Sequence, residues 1–404
     1  MIYLNRTLGV FSLLIFTFLL LACDEDKNGM LGPLAPQTQT DTIRFASYNV
    51  SMFGDSEGDV INRLQSATAH TNYLRVGAII QNTRPDVLVL MELDFDAQGE
   101  ALKLLKEQLL EISYSESDTI QFRYAYQIES NTGVISEVDL DGNGGVSLPN
   151  DAFGFGQFPG QYASAILSRF PIDVDNARSF RNFLWKDMPN AAKPLLADGT
   201  RYYSQEAWDV FRLSSKNHID IPVLLPGGKT VHALISHPTP PVFDGAEDRN
   251  GRRNHDEIRL WKDYINNEAY LQDDAGLAGG LSSEESFIVF GDLNADPVDG
   301  DSYENAINQL LNDTRIHQEV SNGSLIPSSN GGAEHNQQSG NTGDPANDTA
   351  FFGLRIDYVL PSADLNPIAS GVYWPSSTET NFELTEDGAA SDHLMVWLDI
   401  SITY

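Results

Sequence analysis

Apolar residues in this chain gather into short runs, some alternating with polar positions and some unbroken. Eight runs read as strands: Ile43–Val50, Asp86–Met91, Tyr162–Leu167, Ile219–Leu225, Thr230–Ser236, Phe287–Phe290, Ile356–Leu360 and Leu394–Ile402. In the last, Leu394, Val396, Leu398 and Ile400 recur at every second position, the pattern of a strand with one buried face. Three stretches carry the helical period instead. Leu74–Gln81 runs into Pro85, Glu100–Leu110 places Leu102, Leu105 and Leu109 on one face, and Asp256–Asn267 does the same with Ile258, Trp261 and Ile265. Strands interleaved with helices predict a layered α/β domain.

The start of the chain follows another pattern. Arg6 precedes an apolar stretch from Leu8 to Leu21, and Ala22 precedes Cys23, the only cysteine. A basic start, a short apolar core and a small residue before a cut describe an export signal over residues 1–22, too short for a bilayer span of about 20 residues. The ending resembles a bacterial lipobox, which implies lipidation at Cys23 and a protein held on a membrane; simple secretion is the alternative. Residues 23–42, rich in Gly, Pro, Gln and Thr, read as a flexible tether, and 43–404 as one domain. With no other cysteine, that domain is expected to be stabilised by its core, and it is expected to be a monomer.

Charge narrows the function. The 404 residues carry 57 acidic and 25 basic side chains, a formal net charge of -32. Nucleic-acid affinity comes largely from phosphate neutralisation by Lys and Arg, so this balance favours a small or lipid-derived phosphate over DNA or RNA once phosphate chemistry is in view.

Five short stretches bring that chemistry into view. Asn49 ends the first strand, and Glu92 follows the apolar run Asp86–Met91. Gly291-Asp292-Leu293-Asn294-Ala295-Asp296 breaks another strand with polar residues two apart. Arg355-Ile356-Asp357-Tyr358-Val359 opens a further strand, and Ser391-Asp392-His393 precedes the last. Each alone is ordinary, because Asn and Asp are common at strand ends. Together they offer what phosphate-ester hydrolysis requires: oxygen ligands for a hard cation, groups that orient water, and cationic donors for phosphoryl oxygens.

In this order the motifs resemble the endonuclease/exonuclease/phosphatase family, over Ile43 to Ile402. The segments Gln161–Pro171 and His232–His237 resemble the family strands that carry an active-site aromatic or polar residue, here Tyr162, and a catalytic histidine, here His237. The resemblance implies a four-layer α/β/β/α sandwich with the site at one edge. It implies Glu92 as the main metal carboxylate, with Asn49 and Asp392 completing the shell around Mg²⁺ or Mn²⁺. It further implies that Asp292 and Asn294 orient water and a phosphoryl oxygen, that His393 paired with Asp357 contacts the scissile phosphate, and that His237 stabilises or protonates the leaving oxygen. The expected activity is therefore metal-dependent hydrolysis of a phosphate monoester or diester outside the cytoplasm. An extracellular nuclease and a non-catalytic surface-binding module on the same fold are the alternatives.

Three segments fall outside these motifs. Pro238–Glu257 reads as a rigid loop over the site, running into a helix. Arg249, Arg252, Arg253 and Arg259 in and after it, and Arg212 and Lys216 before the strand expected to pair with the His237 strand, read either as offsets to surface acids or as clamps for an anionic group, with Arg252 and Arg253 the candidate clamps. Phe153–Gly160 reads as a substrate-facing loop or a packed aromatic turn. Asp139-Leu140-Asp141-Gly142-Asn143-Gly144 resembles half of a calcium loop, and Asn150 stands where the terminal Glu would be, so a turn is expected first and a structural Ca²⁺ second.

Overall fold

A computed structural model describes residues 39–404, apart from 115–116 and 336–339; the expected signal segment, Cys23 and most of the expected tether lie outside them. Eleven strands form two sheets. They are β1 (Thr40–Met52), β2 (Val87–Leu93), β3 (Tyr124–Ile128), β4 (Ser164–Ser168), β5 (Arg178–Ser179), β6 (His218–Leu224), β7 (Thr230–Ser236), β8 (Ser286–Asp292), β9 (Asp357–Pro361), β10 (Pro367–Val372) and β11 (Val396–Thr403). The first sheet has the order β10-β11-β1-β2-β4-β3, and the second β5-β6-β7-β8-β9.

Side-chain alternation explains the layering. In β2, Leu88 and Leu90 face outward to helix α2 (Thr71–Thr83), which follows α1 (Asp59–Gln65), and meet Val76, Ile79 and Ile80. Val87, Val89 and Met91 face inward to the second sheet and share a core with Ile288, Phe290 and Val359. On the far side, Leu234, Phe287 and Val289 pack under Ile258, Trp261 and Ile265 of a long helix. Numbered after α3 (Glu100–Leu105) and α4 (Gln205–Val210), that helix is α5 (Arg249–Ile265). Three apolar layers therefore separate four structural ones, the α/β/β/α sandwich expected from the sequence.

The strand pairing positions the site. Each sheet contains one parallel pair, β1–β2 in the first and β7–β8 in the second, and all its other pairs are antiparallel. A parallel pair delivers two carboxyl ends side by side, here Asn49 beside Glu92 and His237 beside Asp292. Because β1 and β2 lie against β8, the two pairs of ends meet. Gly291 sets their spacing. Its φ is +154°, and a Cβ there would lie 1.9 Å from the Ser236 carbonyl oxygen. Gly291→Ala should lower stability by roughly 2–5 kcal/mol through overpacking and backbone strain, measured by denaturant unfolding. A change below about 0.5 kcal/mol, the usual scale of a neutral surface substitution, would show that the glycine is not needed for this contact.

Beyond shifts of a few residues at element ends, the structure departs from the sequence reading in four places. β1 starts at Thr40, which pairs with Thr403, so the end of the expected tether is strand. The helix from Glu100 ends at Leu105 and continues as a π turn to Leu110. Strands β3, β5 and β10 were not expected: each closes or nearly closes a sheet edge, β5 has only two residues, and β10 opens on a proline. Finally, α5 begins at Arg249, so the loop over the site is Pro238–Asp248 and Arg252 and Arg253 are helical. The first two turns, Arg249–Glu257, contain no large apolar residue. Their buried face is Gly251, Arg253, Asn254, Asp256 and Glu257, which hides the helical period.

Candidate active site

Asp292, the last residue of β8, is the hub. Its Oδ2 accepts a hydrogen bond from Asn49 Nδ2 at 3.1 Å and lies 3.4 Å from His237 Nε2 and 3.6 Å from His393 Nε2. Its Oδ1 accepts from the Asn294 backbone N–H at 3.0 Å. Asn294 in turn donates its Nδ2 to the Pro238 carbonyl at 3.1 Å, so its amide oxygen is the group left for a substrate or water. Glu92 approaches the same nitrogen of His237, with Oε1 4.0 Å from Nε2 and 19% of its side chain exposed.

Asp357 opens β9 directly opposite Asp292. Its Oδ2 accepts from His393 Nδ1 at 2.9 Å and from Thr349 Oγ1 at 2.8 Å, while its buried Oδ1 has no partner. The Ser391 hydroxyl donates to the Asn49 carbonyl at 2.8 Å and accepts from the His393 N–H at 3.1 Å, which fastens the terminal motif to β1. Asp392 is exposed beside it and accepts from Ser51 Oγ at 2.9 Å.

The two histidines are held in opposite states. Burial would depress His393, but the charges of Asp357 and Asp292 outweigh it and raise its pKa well above the ordinary value. His237 is pushed well below that value, by burial first and then by Lys216 and His393. One is therefore an imidazolium and the other a neutral ring at neutral pH, a separation that divides donor roles between them. Burial also raises Glu92 and Asp292, against the opposing pull of His393 on both.

Backbone strain marks the same place. Glu92, Tyr162 and Asn294 all have left-handed φ, at 57°, 55° and 52°, a conformation that is uncommon away from glycine. Tyr162 is held there by Asp94, whose Oδ1 accepts from its N–H at 3.1 Å while Oδ2 accepts from Gly54 N–H at 2.7 Å. Its ring packs on Phe53 with centroids 4.7 Å apart.

A cavity of about 650 Å³ opens from Glu92, Tyr162 and His237. Lys216, a cation of the Arg212–His218 segment that the sequence sets beside the motifs, lines it. Its ammonium donates to the Pro238 carbonyl at 3.4 Å, and burial lowers its pKa against the pull of Glu257, Glu92 and Asp292. Glu257 of α5 sets this wall by accepting from the N–H groups of Ser215 and Thr239, both at 2.6 Å.

The expected arginine clamps are engaged elsewhere. Arg252 donates to the Tyr303 hydroxyl at 3.0 Å and to the Glu247 carbonyl, and does not line the cavity. Arg253 lines it, but its Nε and Nη2 donate to the carbonyls of Leu213, Phe153 and Arg212. Phe153–Gly160 divides: Phe153 lies under Arg212, Phe158 is buried, and Phe155 faces the cavity. In the calcium-like loop, Asp151 rather than Asn150 brings a third carboxylate near Asp139 and Asp141, and loop N–H groups donate to all three.

The oxygen donors around Glu92 suit a hard divalent cation. Carboxylates of Glu92, Asp292 and Asp357 crowd a buried region, and Asp357 Oδ1 is unpartnered. Such a group of acids is relieved by positive charge. Asp292, Asp357 and His393 also bring ligand atoms within 4.8 Å of one another.

Comparison with known proteins gives a match between residues 46–393 and the model of the Endonuclease/Exonuclease/phosphatase family. Among curated proteins, none matches. Similar solved structures include an endonuclease/exonuclease/phosphatase from Beutenbergia cavernae DSM 12333, at 18% identity and TM-score 0.48, covering 89% of this chain and 71% of that one. A family protein from Leptotrichia buccalis C-1013-b has 15% identity and TM-score 0.45, covering 89% and 99%. The Bacteroides thetaiotaomicron mannosyl-6-phosphatase has 14% identity and TM-score 0.41, covering 89% and 99%.

Proposed function

Because the chain belongs to the endonuclease/exonuclease/phosphatase family, whose members are hydrolases acting on phosphate esters, we propose that it hydrolyses a phosphate ester by in-line attack of water. The observation that carries this reading is the convergence of Asn49, His237 and His393 from both sheets on Asp292 Oδ2. Glu92 would hold Mg²⁺ or Mn²⁺ with Asn49 and Asp392, and the bound cation would neutralise phosphoryl oxygens.

The protein's own groups have distinct parts. Asp292, raised towards neutrality by burial, accepts the proton of the attacking water, and the free amide oxygen of Asn294 helps orient that water. His393 donates to a phosphoryl oxygen as an imidazolium fixed by Asp357. His237 is neutral, so it assists the leaving oxygen through an Nε2–H hydrogen bond rather than by delivering a proton. Lys216 and Tyr162 face the same space, Lys216 as a cation for the phosphate.

A small or lipid-derived ester fits this reading better than a polymer, given the net charge of -32. Activity on a panel of monoester, diester, sphingomyelin, inositol phosphate and plasmid DNA should vanish with EDTA and return with Mg²⁺ or Mn²⁺. Glu92→Gln should fold and lose most turnover. Full activity in chelator would overturn the metal-assisted mechanism.

The proposed location is outside the cytoplasm, on a membrane, with lipid on Cys23 and a monomeric domain beyond it. This rests on the apolar run ending Leu20-Leu21-Ala22-Cys23. Fatty-acid labelling should mark the wild type and not Cys23→Ser; equal labelling of both would exclude the anchor.

A further inference from the structure

Beyond its catalytic end, the cavity is bordered by two phenyl rings that the fold does not hide. Phe243 is 86% exposed and Phe155 is 60% exposed, and both line the same space as Glu92 and His237. The backbone that presents each of them is constrained. Phe243 has a φ of 64°, in the left-handed region that bulky side chains avoid. The first turn of α5 holds it there: Arg249 Nη2 donates to the Phe243 carbonyl at 3.1 Å, and Asn250 donates to the Val242 carbonyl at 2.7 Å and to Asp244 Oδ2 at 2.6 Å. Phe155 stands between two glycines pressed against their neighbours. A Cβ on Gly154 would lie 1.7 Å from the Ser215 carbonyl oxygen, and one on Gly156 would lie 2.7 Å from the Gly133 nitrogen. The fold thus accepts strain and close packing to present two aromatic faces at the rim of its cavity.

The polar groups that line the same cavity narrow what they receive. Arg249 is paired with Glu247, and Arg253 donates through Nε and Nη2 to three backbone carbonyls, so both guanidinium groups are largely committed to the fold. The remaining polar lining includes Asp141 and Asn150. Asn150 donates to Asp141 Oδ2 at 3.0 Å, which leaves its amide oxygen as an acceptor; Asp141 Oδ2 also accepts from Asn143 Nδ2, and Oδ1, which among the described residues accepts only the Asn143 N–H, keeps a lone pair for a further donor. Aromatic faces combined with acceptors suit an uncharged ring that carries O–H or N–H donors.

We infer that this half of the cavity is a leaving-group subsite for a compact, uncharged, ring-bearing group, a nucleoside or a monosaccharide, packed on Phe155 and Phe243 with its donors directed to Asp141 and Asn150. The inference rests on the phosphoesterase reading for the ester itself, while the ring site stands on its own geometry. It predicts a small phosphate ester as substrate, not an acyl-chain lipid or an inositol polyphosphate.

The test compares wild type with the Phe155→Ala/Phe243→Ala double variant, whose exposed side chains can be removed without opening the core. With Mg²⁺ present, kcat/KM is measured on glycerol phosphate, a mononucleotide, a hexose phosphate and a phosphate ester embedded in vesicles. One ring-bearing ester should exceed glycerol phosphate by ~10-fold or more in the wild type, the scale of one stacked ring. The double variant should lose that preference through KM. Whether the mononucleotide or the hexose phosphate shows it identifies the ring. Binding of the free nucleoside and free monosaccharide, followed by ligand-observed NMR, gives a readout independent of turnover: wild-type binding that the double variant loses supports the subsite even if no ester is cleaved. No ring preference and no ring binding in the wild type would overturn the inference. So would an effect of the double variant confined to the vesicle substrate, which would make the phenyl rings a membrane contact.

Discussion

Asp292→Asn is expected to lower kcat by roughly 10²–10⁴-fold, the range of a lost general base, and at the same time to raise thermal stability. The two effects share one cause. Asp292 is 2% exposed, and its carboxylate is raised in pKa by burial and by the charges of Asp357 and Glu92. Burying charge beside like charge is unfavourable, so a neutral isostere removes a penalty. Asparagine keeps the shape and can still accept the Asn294 N–H through its amide oxygen, but it offers no base for a proton and no charge to hold His393 as a cation. Stability given up for function in this way is expected at a catalytic centre. Turnover and the thermal midpoint should be measured together in chelator-treated and Mg²⁺-containing buffer. Activity within about 3-fold of wild type, far above the general-base range, would remove Asp292 from the chemistry. A lower midpoint in chelator would show that its charge stabilises the fold.

The legible part of this molecule is the part where local pattern and tertiary role coincide. Strands β2 and β8 are buried on both faces over their apolar runs, which are therefore unbroken and easy to find; β5 and β10 lie at edges where one face is solvent and the pattern thins. The site motifs were legible for a related reason. Asn49, Glu92, His237 and Asp292 all lie at or near the carboxyl ends of strands in parallel pairs, where a polar residue after an apolar run stands out. Asp94, Thr349 and Glu257 belong to no such pattern. Glu257 acts on Ser215, 42 residues away, and on Thr239, 18 away, across a helix whose buried face is polar. Thr349 meets Asp357 because an irregular segment folds back on β9. Their roles arise from packing, which the sequence order conceals. The arginines show the opposite error: a cluster of four cations near His237 suggested a phosphate clamp, yet helix formation from Arg249 turns Arg252 towards Tyr303 and gives Arg253 to backbone carbonyls.

Asp357 and His393 should fail as a unit. Each single substitution to alanine is expected to reduce kcat/KM by on the order of 10²-fold or more, and the double variant by little beyond the worse single, because groups that act together are not additive. The hydrogen bond from His393 Nδ1 to Asp357 Oδ2, 2.9 Å long, fixes which nitrogen points at Asp292 and keeps the ring protonated. Without Asp357 the ring loses both its tautomer and its strongest counter-charge. Without His393 the Asp357 carboxylate keeps only the Thr349 hydroxyl, whose oxygen itself accepts from the N–H groups of Ile356 and Asp357. Removing His393 also leaves buried carboxylates unpaired, a loss of about 3–5 kcal/mol when one partner of a buried pair is deleted. Unfolding curves must therefore accompany the rates. Asp357→Asn separates position from charge: it preserves volume but presents an amide that can turn an N–H towards Nδ1 and select the opposite tautomer, so it should be nearly as damaging as alanine. Rate losses that multiply in the double variant, or near-wild-type turnover in Asp357→Asn, would mean that His393 is oriented and charged by Asp292 alone.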